Sequence, residues 1–140
     1  MSIQSNTVEG RLAFTADADL TGKEGYLVKL TTGTDGKAEV TLPTDVADPA
    51  IFVVIDVPDA TYAAGNKVYV EPLTPNKNVR LIAAASIAAG DKVILSGTFG
   101  KVTTATGAGS DTYTVIGYAE EDATAGGNVR VRPCIGTLTV

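Results

Sequence analysis

The side chains able to do chemistry set the first limits. The 140 residues hold no histidine and a single cysteine. The usual general base, proton shuttle and imidazole metal ligand are therefore missing. Cys134 sits between Pro133 and Ile135, with no adjacent positive charge to lower its pKa and make it a nucleophile. It reads as a small buried apolar residue. The tight acidic groups are Asp17 with Asp19, and the run Glu120-Glu121-Asp122. A hydrolase built on paired carboxylates needs two acids opposed across a cleft, whereas neighbours on a strand point to opposite faces. The triple-acid run reads as a solvated turn, and it lacks the alternating oxygen ligands around a glycine that mark a calcium loop. Gly107-Ala108-Gly109 has neither a Gly-Lys-Ser/Thr ending nor a following helix, so it is no phosphate loop. The expectation is no catalytic residue, no metal site, no cofactor, and hence no enzyme. Arg130 and Arg132 share one face of an alternating run and could pair with carboxylates of a neighbouring subunit, or stand as two solvated charges.

Composition narrows the partners. With 11 basic and 16 acidic residues the net charge is −5, which disfavours nucleic acid, because phosphate contacts need clustered Lys and Arg. No window approaches the roughly 18 consecutive apolar residues of a membrane helix. The start Met1-Ser2-Ile3-Gln4-Ser5-Asn6 has neither a basic beginning nor an apolar core. The chain is expected to be soluble, made in the cytoplasm and without a membrane partner. Fifteen glycines and six prolines, with no Trp, describe a turn-rich β protein with a thin core. Cores of that kind gain stability by association.

The elements that must position these residues are written twice. Phe52-Val53-Val54-Ile55-Asp56-Val57, a polar loop, and Ala64-Gly65-Asn66-Lys67-Val68-Tyr69-Val70-Glu71-Pro72 are answered 61 positions on by Tyr113-Thr114-Val115-Ile116-Gly117-Tyr118, a loop, and Ala125-Gly126-Gly127-Asn128-Val129-Arg130-Val131-Arg132-Pro133. A β-branched run, a small-residue loop and an alternating run predict two strands in sequence, with a proline ending each ladder. Upstream, Tyr26-Leu27-Val28-Lys29-Leu30 turns at Asp35-Gly36 into Lys37-Ala38-Glu39-Val40-Thr41-Leu42, a hairpin signal. Its counterpart is Lys92-Val93-Ile94-Leu95 with Lys101-Val102-Thr103-Thr104, Gly36-Lys37 and Gly100-Lys101 holding equivalent places. The repeat thus covers about 24–72 and 90–133. The predicted fold is all-β, a small sandwich or barrel-like domain over 21–140 made of two similar β units. Val54, Ile55, Val68, Val70, Val115, Ile116, Val129 and Val131 are expected to share one core. Ala83 to Ala89 forms either two helical turns or a loop.

Residues 1–20 carry Ile3, Val8, Leu12, Phe14 and Leu20 without a sustained period. They read as an extended N-terminal arm, either a frayed terminus or a segment that orders on a partner.

The second half resembles the capsid cement, or head decoration, proteins of tailed bacteriophages. The resemblance rests on Ala89-Gly90-Asp91-Lys92-Val93, Gly100-Lys101-Val102-Thr103-Thr104, Val115-Ile116-Gly117-Tyr118-Ala119 and Gly126-Gly127-Asn128-Val129-Arg130-Val131 in that order. It covers about residues 88–133, with 24–72 as a weaker echo. It implies a non-enzymatic β protein bound to the outer capsid surface of the virion, as a homotrimer on the major capsid protein, stabilising the shell against internal DNA pressure. The motif does not reach the arm, whose own apolar pattern makes Ile3, Gln4, Val8, Leu12 and Phe14 the candidate capsid-binding residues. Arg130 and Arg132 are the candidate subunit contacts. The rival from another class is a carbohydrate- or receptor-binding β module, for which Tyr62, Tyr69 and Tyr118 are the available stacking side chains.

Overall fold

The computed structural model describes residues 11–58, 60–105 and 111–139. Among them run ten strands: β1 (Leu12–Ala16), β2 (Leu27–Thr32), β3 (Ala38–Thr41), β4 (Phe52–Val54), β5 (Lys67–Pro72), β6 (Val79–Ile82), β7 (Lys92–Leu95), β8 (Val102–Thr104), β9 (Thr112–Ala119) and β10 (Asn128–Thr139). The all-β expectation holds. Strands β1 to β5 close a barrel in the order β1-β3-β2-β4-β5, and β6 to β10 form a sheet in the order β6-β10-β9-β7-β8.

Local sequence explains the strands. In β5, Val68 and Val70 are buried while Lys67 and Tyr69 are exposed, and in β10 Val129 and Val131 are buried between half-buried arginines. That is the period-2 pattern of a sheet with one dry face. The β2–β3 hairpin turns at Gly36, whose φ of 79° suits glycine, while Asp35 Oδ1 accepts from the Lys37 amide at 3.0 Å.

The two units have one topology. Matching β1 with β6, β2 with β7, β3 with β8, β4 with β9 and β5 with β10 turns one strand order into the other. Backbone bonds repeat as well. Ala16 N–H donates to Asn66 O and Gly65 N–H to Ala16 O; the second unit repeats this with Ala83 to Gly127 and Gly126 to Ala83. Leu20 to Tyr62 likewise returns as Ile87 to Ala123. Closure differs. The first barrel is sealed by parallel pairing of β1 and β3, Thr15 with Glu39 and Ala16 with Val40, where the second has the single bridge of Ala83 with Val102.

This pairing corrects several sequence expectations. Residues 11–20 are not an arm, because β1 is a barrel stave and Leu20 is buried. The repeat therefore begins at Leu12, whose partner Val70 answers to the pair Val79 and Val131. The 61-position offset holds for β5 and β10 but not for β4: Val54 pairs with Val70 as Ala119 pairs with Val131. Phe52 thus corresponds to Gly117, not Tyr113, and the loop between these strands is four residues longer in the first unit. Gly36-Lys37 and Gly100-Lys101 are not equivalent either, since the pair Leu30 and Val40 answers Leu95 and Val102. Ala83–Ala89 takes the open alternative, loop instead of helix, pinned by the bridges of Ala83 and Ile87. Pro133 does not end β10. It lies just past Val131, where pairing with β6 stops, so its missing N–H leaves no ladder bond broken on that side.

There are two cores, not one shared core. Val28, Val40, Phe52, Val54, Tyr62, Val68 and Val70 fill the barrel. Leu81, Val93, Leu95, Val102, Ile116, Val129 and Val131 line the second sheet, and Leu27, Ala50 and Val53 of the first unit complete that cluster. Successive residues on a strand face opposite ways, so Val28 points into the barrel while Leu27 points out of it into the neighbouring core. Val53 and Val54 divide in the same manner. Ile55 is only half-buried, and Val115 is buried outside both clusters. Covering by the first unit shows in the equivalent pair Leu95, 0% exposed, and Leu30, 43% exposed. The close approach is at Gly100, whose φ is +85° and whose carbonyl accepts from Leu27 N–H at 2.8 Å. A side chain there would reach within 2.8 Å of Tyr26 Cδ2.

Candidate interaction surfaces

Among the described residues no group of three His, Cys, Asp or Glu could hold a metal ion. Cys134 is exposed, against expectation, because β10 beyond Pro133 has run past its pairing with β6. A cleft of about 550 Å³ separates the β4–β5 side of the barrel from β6, with Glu24, Asp56, Glu71, Asn78 and Arg80 around it. Its Arg80 and Glu71 are engaged in ion pairs, with Glu121 at 3.2 Å and Lys77 at 2.7 Å.

The acidic run and the two arginines form one network. Arg132 Nη2 lies 3.2 Å from Glu120 Oε2, Arg130 Nε 3.7 Å from Glu120 Oε1, and Arg130 Nη1 3.9 Å from Glu121 Oε2. Glu121 also accepts from the Arg130 amide at 3.2 Å. Burial pushes the Glu120 carboxyl up, but hydrogen bonds from Asn78 and Arg132 and the charges of Arg132 and Arg130 outweigh it and hold it below the usual range. Asp122 accepts from Ala89 N–H at 2.8 Å. Glu120-Glu121-Asp122 is therefore a turn tied to β6 and β10 instead of a freely solvated one. The arginines meet carboxylates of their own chain. What sequence alone could not reveal was that the loop folds back over its own strand.

The arm candidates divide. Ile3, Gln4 and Val8 lie outside the described residues. Leu12 and Phe14 pair with Val70 and Val68 and pack against the barrel core, Phe14 meeting Phe52 edge to face at 5.5 Å between ring centres. Both are wall residues, half-buried at the end of the barrel where Leu30 is exposed. Of the three tyrosines, Tyr62 is 1% exposed and donates its hydroxyl to Ile55 O at 2.9 Å, which removes it from any stacking surface. Tyr69 has the Arg11 guanidinium 5.6 Å over its ring, and Tyr118 stands open between Lys92 and Arg132.

A surface that sequence reasoning missed is the ribbon formed by the start of β9 and the end of β10. Gly136 to Thr139 pair with Val115 to Thr112 beyond a bulge at Cys134 and Ile135. The first unit has nothing like it, since β5 stops at Pro72. One edge of the ribbon is docked: Thr114 N–H donates to Val46 O at 2.8 Å and its hydroxyl to Asp48 O at 2.7 Å.

No family model and no curated protein matches the chain. Among solved structures, it is similar to the crystal structure of the head fiber gp8.5 N base in bacteriophage phi29. The TM-score is 0.60 and the identity 22%, over 93% of this chain and 98% of that one. The likeness is one of fold and takes in both units.

Proposed function

We propose that this chain is a structural protein of a bacteriophage head. It binds the outer surface of the shell through the major capsid protein and stabilises the particle, acting by contact and not by catalysis. The observation that carries the reading is the shared fold with a head fiber base over nearly the whole of both chains. The ordered motifs from Ala89 to Val131 point the same way independently. On the shell the protein stands as a homotrimer, so that three modest contacts act together at high effective concentration.

The test is addition of purified protein to heads that lack it. Saturable occupancy of the outer surface in reconstructions, with a higher temperature of particle opening, is the expected result, because a ligand bound only to the intact shell stabilises it by mass action. No occupancy at any concentration would overturn the assignment. Isolated single copies on the shell would overturn the trimer alone.

A further inference from the structure

Past Val131, β10 loses β6 as a neighbour and continues to Thr139 with β9 as its one strand partner among the described residues. The bond from Thr114 N–H to Val46 O determines which groups face outward. Since that amide points away from β10, Thr114 and Thr137 form a non-hydrogen-bonded pair, and so, two residues on, do Thr112 and Thr139, whose hydroxyls lie 3.3 Å apart. The N–H and C=O of Thr137 and Thr139 therefore point outward along the free edge of β10. No described residue bonds to them.

Edge strands are ordinarily guarded by charge, proline or a covering loop. The docked edge of this ribbon has its cover in the loop around Val46 and Asp48. The stretch Cys134-Ile135-Gly136-Thr137-Leu138-Thr139 has no cover among the described residues and carries neither charge nor proline, in a chain whose net charge is −5. We propose that this edge pairs with the same edge of a second copy of the chain, antiparallel about a two-fold axis at Thr137. The result is a continuous four-stranded ribbon. At the axis the outward N–H and C=O of each Thr137 meet their complements on the partner's Thr137. One step out, Gly136 faces the partner's Leu138, and the missing side chain leaves room for the leucine. Ile135, 44% exposed, comes opposite the partner's Thr139 in a β-branched pair suited to strands. No like charges face each other anywhere along the contact. Five residues a side bury little area, so the pairing is weak between free molecules and gains where copies are already held together. It does not depend on the phage-head assignment.

Sedimentation equilibrium of the full chain up to about 1 mM, the weak end of measurable affinity, tests it together with hydrogen exchange at individual amides. A concentration-dependent dimer is expected, with the Thr137 and Thr139 amides becoming protected as it forms. The double variant Thr137→Lys, Thr139→Lys should weaken dimerisation at least about tenfold by like-charge repulsion across the axis. Its unfolding midpoint should move little, because both side chains are exposed, the backbone bonds to β9 are kept, and the bond lost is the exposed hydroxyl contact of Thr139 with Thr112. Exchange on the unsubstituted protein keeps the test independent of the variant's folding. A chain that stays monomeric throughout, protection that does not follow concentration, or self-association that the lysines leave unchanged would each overturn the proposal.

Discussion

The Asp48 carboxylate holds the loop through which the first unit meets the second. Its Oδ2 accepts from Lys29 Nζ at 2.8 Å and from the amides of Thr44 and Asp45 at 2.8 and 3.0 Å. The loop so folded presents the Val46 and Asp48 carbonyls to Thr114. The Lys29 hydrogen bond is the chief reason the carboxyl titrates below its ordinary range; burial opposes it, and the two amides assist. A depressed folded pKa means the stabilisation is fully present above the unfolded value near ~3.9 and is lost as the pH falls through the lower folded value. Asp48→Asn keeps an acceptor but discards the charge. It should cost about 1–2 kcal/mol at neutral pH. At a pH well below the ordinary ~3.9, past the depressed folded value, the gap to the parent should close, because the parent carboxyl is then neutral as well. Urea midpoints at the two pH values check this, and an equal gap at both would mean that the charge is not what holds the loop.

Among the elements, the β9–β10 crossing at Gly117 is the tightest. Gly117 takes the place that Phe52 holds in the barrel, pairing with Pro133 as Phe52 pairs with Pro72. A Cβ there would collide with the Arg132 carbonyl oxygen, a backbone atom that cannot swing aside. Gly117→Ala should therefore destabilise by about 1–3 kcal/mol, as overpacking does. Gly97→Ala is the control, since nothing lies within 4 Å of a Cβ at that position. Thermal unfolding of the two variants decides the point, and equal midpoints would show that β9 has room to shift. The alternation of Val68 with Val70 and of Val129 with Val131 made both strands legible from sequence. The glycine did not reveal its role, because Val-Ile-Gly-Tyr reads equally well in either of two registers four residues apart.

For the whole molecule, the first stave of the barrel, β1, lies inside what sequence reads as a single arm. Deleting residues 2–10 should leave the unfolding free energy within about 0.5 kcal/mol of the parent, since β1 begins at Leu12. Extending the deletion through Ala16 removes the stave between β3 and β5 and uncovers the barrel core. That variant should fail to fold cooperatively, as seen by near-ultraviolet circular dichroism and urea titration. Cooperative folding of the longer deletion would show that β2 to β5 suffice. Under the proposed function, the shorter deletion should also lower occupancy on heads while leaving the fold intact, and full occupancy would remove Ile3, Gln4 and Val8 from the shell contact.

Sequence by itself determined the all-β class and the duplication, because strand periodicity and turn glycines are local signals repeated in both halves. Tertiary structure alone decided how far the duplication extends. β1 carries too little pattern to announce itself, and its equivalence to β6 appears only through partners such as Val70 and Val131, far along the chain. The division into two cores was likewise hidden. Leu27 and Val28 are both apolar, and which of them faces the barrel depends on a neighbouring unit that covers the other. The partners of Arg130 and Arg132 followed the same logic, since a loop acid reaches an arginine only after the hairpin has closed.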